Sequence, residues 1–186
     1  TIWLANGIYP IENPLVFSAL EFGNSNAKIT IKAESNAHPV ISGGKLIKEW
    51  KKNREGLWEA KLKISQAPRE LFVGQKRAVR ARFPNEDYLR VKKVGDDRRT
   101  HFYFKKNEFP VPELLKDAEL VLLHDWSISR IGIQELDVKN NKLTAVDSIG
   151  AKNPDFFNLD NWEKDPRYFL ENALEFLDVD YEWVYN

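Results

Sequence analysis

Residues 71–85 read LFVGQKRAVRARFPN. An apolar run meets Gly74-Gln75, and four basic residues, Lys76, Arg77, Arg80 and Arg82, follow within seven positions. A glycine first of two turn residues suits the II′ turn that closes a tight hairpin. Beyond the turn, Val79, Ala81 and Phe83 fall on one strand face, and Ala78, Arg80 and Arg82 on the other. Pro84 ends the strand, because it has no N–H to give to a ladder. The stretch therefore predicts an antiparallel hairpin with one basic face. Its arginines have two uses. A planar guanidinium can bind sugar hydroxyls or an acidic glycan, or it can pair with an acidic helix and its neighbours and hold the hairpin's domain against a solenoid. Docking is the expectation, with the far end, near Arg82, Pro84 and Asn85, as the place to meet a ligand.

Strand signals continue on the C-terminal side. LWEAKLK (57–63) precedes the hairpin, and HFYFK (101–105), ELVLLHDW, SRIGIQELDV and KLTAVDS follow it, with a turn at Lys139-Asn140-Asn141. PELLKD (112–117) predicts one helical turn opened by Pro112. Residues 45 to about 150 thus read as an antiparallel sandwich or barrel. Farther on, Asp165 as N-cap, Pro166 in the first turn and Leu170, Ala173, Leu174 and Leu177 at i, i+3, i+4, i+7 predict a helix. Its outer face would carry Glu171, Glu175 and Asp178.

The N-terminal 44 residues have another texture. Ile2 and Leu4 form a short run ended by Asn6-Gly7, 15–17 form a second, and 23–26 a loop. Ile29, Ile31 and Ala33 then alternate with polar residues, and Val40-Ile41 end at Ser42-Gly43-Gly44. Strands this short, with polar corners and no hairpin turns, predict rungs of a solenoid. The chain opens and closes in strand-like sequence, TIWLANGIY and EWVYN, and is expected to be an internal piece of a larger protein.

Composition narrows the function. The chain has 28 basic and 28 acidic side chains among 186 residues. A domain built to hold polyphosphate is usually strongly basic, so nucleic acid is not an expected partner. Residues 45–110 nevertheless carry 19 Lys/Arg against 9 Asp/Glu, and residues 151–186 carry 3 against 9. No stretch approaches the roughly 18 apolar residues of a membrane-spanning helix, so no membrane partner is expected. Without cysteine there is neither a disulfide nor a thiolate metal site. His38, His101 and His124 show no metal-ligand spacing, and no metal or cofactor is predicted.

The opening, TIWLANGIY followed by ITIKAESNAHPVISGG, resembles the first coil of right-handed parallel β-helix enzymes that act on polysaccharides, lyases of the alginate lyase and chondroitinase B type among them. The later series, LFV-turn-KR, RARFPN, W-S-x-S-R, YFLENALEFLD and EW, resembles the β-helix glycoside hydrolases of family 141, which include α-L-fucosidase and xylanase activities. The resemblance implies a mainly β protein. Residues 1–44 would be the opening coil, 45–165 an inserted antiparallel β-sandwich or barrel, and 166–186 a helix and strand returning to the β-helix. It also implies a polysaccharide or oligosaccharide substrate, the rest of the same β-helix as packing partner, and a secreted or periplasmic location. Two departures stand out. The family's turn usually reads Asn-Gly where this chain has Gly74-Gln75, and its Pro-Gly-Glu-Trp appears here as Asp180-Tyr181-Glu182-Trp183.

The family's catalytic carboxylates are expected on later coils, so no catalytic residue is assigned and the piece alone is expected to be inactive. The resemblance implies one wall of a cleft, with Arg82, Asn85, Trp126, Arg130, Glu182 and Trp183 as candidate sugar contacts. Trp126 has a second reading as core, the commoner use of an isolated aromatic in a strand. His124, Asp125 and Ser127 or Ser129 in HDWSISR do not predict a triad, since residues crowded on one strand and turn point apart. Glu171 and Glu175, spaced i, i+4, would suit a glycosidase pair, but a solvated helix face explains them more simply. The alternatives to a hydrolase are a β-helix polysaccharide lyase and a non-catalytic glycan-binding or structural module.

Overall fold

The structure is a computed structural model; it describes residues 1–18, 29–109, 115, 117–153 and 155–186. The chain is mainly β, and among the described residues there is no α-helix. The expected loop at 23–26 lies outside the described residues, as does most of the expected helical turn at 112–117. Two compact units divide the chain, Thr1–Ser65 and Gln66–Asn186.

In the first unit, β1 (Ile2–Leu4), β2 (Ile8–Pro10), β3 (Ile31–Ala33) and β4 (Val40–Ser42) form two parallel pairs. β1 lies beside β3 with Ile2 opposite Ile31, and β2 beside β4 with Ile8 opposite Val40. The expected run at 15–17 is not a strand. Its place in the pattern is taken by Ile8–Pro10, directly after Gly7. Asn6 accepts a hydrogen bond from the His38 N–H at 2.7 Å and ties the two corners. A small hairpin, β5 (Lys51–Lys52) and β6 (Trp58–Glu59), completes the unit, much shorter than the alternation over 57–63 suggested.

The second unit begins with the hairpin β7 (Leu71–Val73) and β8 (Lys76–Arg80). Val73 faces Lys76 across Gly74-Gln75, and Gly74 has φ +63°. That left-handed first turn position is where glycine costs least. Then follow β9 (Arg82–Phe83), β10 (Leu89–Arg90), β11 (Lys93–Val94), β12 (His101–Tyr103), β13 (Glu119–Leu123), β14 (Ile128–Asp137), β15 (Lys142–Ala145), β16 (Arg167–Glu171) and β17 (Glu182–Trp183). The main sheet is antiparallel, in the order β10-β16-β13-β14-β15-β12-β11. Its end strands, β10 and β11, are two parts of the continuous segment 89–94. The Val91 N–H bonds to Pro166 O at 3.0 Å, and the next N–H, of Lys92, bonds to Tyr103 O at 2.9 Å. One stretch of backbone thus serves both ends, and among the described residues the sheet closes into a barrel. The long β14 makes the bend. Residues 128–132 pair with β13, 133–137 pair with β15, and a register shift lies between Ile133 and Glu135.

Closure creates the core. Phe102, Leu120, Leu122, Leu143, Tyr168 and Leu170 are fully enclosed. Phe102 meets Tyr168 edge-to-face with centroids 4.8 Å apart, a geometry worth more than its area alone. The Tyr168 hydroxyl donates to Glu108 at 2.6 Å, and burial followed by the nearby Glu108 carboxylate pushes its pKa up.

The helix expected after Asp165 is absent. Residues 167–171 form a central strand of the barrel, buried along almost its whole length, and a short 3₁₀ turn spans Leu174–Phe176. Four apolar positions at helical spacing do not distinguish a helix from a strand covered on both faces. Tyr168 and Phe169 favour a pleated strand, and Asn172, at φ 70°, ends it. The third sheet has the order β17-β8-β7, with β17 parallel to β8. The turn before β17 places Tyr181 at φ 67°, in the left-handed region.

Candidate functional site: an ion-pair seam and an aromatic pocket

The basic face of β8 leads inward. The Arg80 guanidinium lies 3.0 Å from Glu119 and 3.4 Å from Glu171. Its Nε donates to Asn172 at 3.2 Å, and its ring-facing side lies over Trp183 at 5.6 Å. Arg130 reaches Glu171 at 3.0 Å from β14, and Arg69 reaches Glu119 at 2.9 Å. Glu171 is only 4% exposed. A carboxylate so enclosed needs cationic partners, and two guanidinia supply them. This network fastens the β17-β8-β7 sheet to β13, β14 and β16. Arg80 thus docks the hairpin within the second unit, against strands rather than an acidic helix. Glu171 and Glu175 do not form a pair on one helix face, since that helix does not exist.

Arg82 works locally. Its Nε donates to Pro84 O at 2.9 Å, its terminal nitrogen to Asp87 O at 2.6 Å, and it lies 3.8 Å above the Phe169 ring. Burial lowers its pKa, against the raising influence of Tyr88 and Glu171. Asn85 donates to Asp178 at 2.8 Å. Glu182 accepts from the backbone N–H groups of Asp178 and Val179, each at 3.1 Å, while burial holds its pKa above the usual carboxylate range. Trp183 is buried, with its indole N–H unpartnered among the described residues. Five of the six candidate sugar contacts therefore have intramolecular duties, and the structure does not bring them together around Trp126.

Trp126 is different. It is 67% exposed, on the turn between β13 and β14, so it is not core. Two further aromatics join it from the segment before β16. Trp162 stands 5.2 Å away and Phe156 6.2 Å away, both edge-to-face and both about half exposed. Two adjoining depressions of about 240 and 250 Å³ flank this cluster. Both contain His124, Asp125 and Trp162. One adds Glu163 and Arg167, the other Trp126, Ser127, Ser129 and Phe156.

The pocket floor is fixed by packing. The His124 ring meets Phe157 edge-to-face at 4.3 Å, and its Nε2 is 2.7 Å from the Ser129 hydroxyl. Burial lowers the His124 pKa, so its ring is neutral at pH 7. Among the described residues no carboxylate bonds this imidazole, so the His–Ser contact lacks the third member of a triad. Phe157 fits because Gly150 has no side chain: a Cβ there would come within 2.3 Å of the ring, and the backbone has φ +85°. Arg167 donates to Glu163 at 3.1 Å, and Glu163 also accepts from Arg90. Burial alone would raise the Glu163 pKa, but the Arg90 and Arg167 hydrogen bonds hold it below the usual carboxylate range. The Asp125 carboxylate, by contrast, has no partner among the described residues. No group of three or more His, Asp or Glu suited to a metal ion occurs among them, and no helix long and apolar enough to cross a membrane.

No family model matches this chain. No curated protein matches it either. Among solved structures, a protein described as "Glycoside hydrolase" matches 100% of the chain with a TM-score of 0.76 and 22% sequence identity. At that identity the likeness is one of fold: the chain has the fold of part of a glycoside hydrolase. It spans 34% of that protein's length.

Proposed function

We propose that this chain is the N-terminal part of a polysaccharide-degrading glycoside hydrolase of the right-handed parallel β-helix type, close to family 141. The single observation that carries this reading is the match of fold along the whole chain to part of a glycoside hydrolase. The parallel pairing of β1 with β3 and β2 with β4 supports an opening coil, since stacked coils pair in parallel. Residues from 45 through the barrel strand β16 (Arg167–Glu171) act as the inserted β-domain and form one wall of the substrate cleft. Further coils of the same protein cover the apolar side chains of the first rungs and carry the catalytic carboxylates. Hydrolysis then needs an acid and a second carboxyl group on opposite sides of the scissile bond. Glu171, enclosed between two arginines, is not one of them, and residues 1–186 alone are inactive. Secretion or a periplasmic location goes with a polymeric substrate.

The test is an assay of the longer protein containing these residues on fucosylated glycans, xylan and polyuronates. New reducing ends without unsaturated products support hydrolysis. Unsaturated uronate products would make it a lyase. Binding without turnover would leave a glycan-binding module.

A further inference from the structure

From the aromatic pocket we infer a carbohydrate-binding subsite specific for an uncharged sugar ring, built by Trp126, Trp162 and Asp125. It rests on the reading of the chain as part of a carbohydrate-active protein and names where, and for which chemical class, that protein grips its ligand. Two large aromatic side chains within about 6 Å of Trp126, all three about half exposed or more, are not explained by packing. Soluble proteins expose apolar residues singly, and clustered ones mark binding surfaces.

The kind of ligand follows from the surroundings. A pyranose ring offers C–H groups on its faces and hydroxyls on its rim. An indole face accepts the first, and a carboxylate or indole N–H bonds the second. Trp126 and Trp162 supply two such faces, and both indole N–H groups are without a partner among the described residues. Trp126 and Asp125 both line the second depression, so a ring lying on the indole brings its hydroxyls toward the carboxylate. The two adjoining depressions, lined by aromatic faces and by polar groups together, offer concave ground for a sugar ring with its hydroxyls.

Charge sets the specificity. Arg167 is the cation in the lining, and it is bound to Glu163, which it shares with Arg90. His124 is kept neutral by burial. The free charge of the pocket is the Asp125 carboxylate, which attracts hydroxyls and repels uronates and sulfated sugars. The pocket therefore selects neutral glycans. A uronate site would present a free arginine here.

The experiment uses the 186-residue protein. Its indole N–H resonances are followed by NMR while xylohexaose, cellohexaose, mannohexaose, a fucosylated xyloglucan oligosaccharide and hexagalacturonate are added in turn. At least one neutral sugar should shift the Trp126 and Trp162 signals and leave those of Trp3, Trp50 and Trp58 in place. Trp126→Ala and Trp162→Ala should each weaken that binding about tenfold or more, the range of a stacking anchor. Trp126→Tyr, which keeps a flat ring, should retain most of it. Asp125→Asn should weaken neutral-sugar binding several-fold and reduce the discrimination against hexagalacturonate. The inference is overturned if no neutral sugar shifts these two indoles, if Trp126→Ala binds as wild type does, or if hexagalacturonate binds more tightly than every neutral sugar. These outcomes are independent of turnover by the longer protein. Hydrolysis with unshifted indoles sinks the subsite and leaves the hydrolase, and shifted indoles without hydrolysis do the reverse.

Discussion

The two units use the same materials to opposite effect. Both are built of short strands rich in Ile, Val, Leu and aromatics. In Gln66–Asn186 these side chains make a closed core, with Phe102, Leu120, Leu122, Leu143 and Leu170 shut away from water. In Thr1–Ser65 no described residue is fully buried, and Ile8 is 74% exposed. The difference is closure. A barrel supplies each strand with two neighbours and a filled interior, whereas a two-stranded parallel pair has nothing to lay its apolar face against. Apolar sequence becomes stability only where the topology provides a partner surface.

The largest test of that contrast is Glu171→Ala. It leaves Arg80 and Arg130 facing each other without their shared carboxylate, and removing one partner of a buried pair costs about 3–5 kcal/mol. Glu59→Ala in the first unit loses only an exposed hydrogen bond from Asn53 and should stay within about 0.5 kcal/mol. Urea unfolding of both variants checks the pair, and equal losses would break the comparison.

Gly150→Ala comes next. A left-handed backbone and a contact at 2.3 Å to Phe157 should together cost at least about 1–3 kcal/mol and displace the His124 ring. The same unfolding curves give the first number, and NMR of the His124 ring protons reports the second.

Tyr181→Gly should act in the opposite direction. A non-glycine residue at φ 67° carries a penalty of roughly 1–2 kcal/mol, partly offset by Lys76 Nζ lying 3.8 Å over the Tyr181 ring. A net gain of about 1 kcal/mol or less is expected in the thermal midpoint analysis.

Acid gives a smaller effect. The folded-state pKa of His124 is depressed by burial, so the unfolded chain binds the proton more readily. The His124 contribution is fully present above the unfolded value near 6.5 and is lost as pH falls through the lowered folded value. His124→Gln should flatten the pH dependence of stability below about 6.5, as read by unfolding at a series of pH values. The smallest effect expected is that of Ile8→Ser, within about 0.5 kcal/mol in this chain.

Much of this architecture was legible where local chemistry and tertiary need agree. Gly74 first in a two-residue turn gives the hairpin, and the runs HFYFK, ELVLLHDW, SRIGIQELDV and KLTAVDS mark β12 through β15. The errors fall where one pattern fits two structures. Leu170, Ala173, Leu174 and Leu177 have helical spacing, yet barrel closure takes Tyr168 and Leu170 as a central strand and leaves Leu174 half exposed. No sequence rule shows that Glu171 will meet Arg80 and Arg130, because that depends on which strands become neighbours. The pocket was half legible. Trp126 stands out in its turn, but Phe156 and Trp162 reach it through the folding of a segment far along the chain. The available signal was their setting, since KNPDFFNLDNWEKDP places Phe156 and Trp162 in a polar segment from which the core takes only Phe157 and Leu159.

The central claim is that the second unit is complete in itself and the first is not. Hydrogen exchange of the 186-residue protein tests it most directly. Slow exchange is predicted at the amides of β13, β15 and β16, near the limit set by global unfolding. Exchange faster by orders of magnitude is predicted at Ile31–Ala33 and Val40–Ser42, where short parallel pairs lack a covering layer. Equal protection in both units would contradict the account.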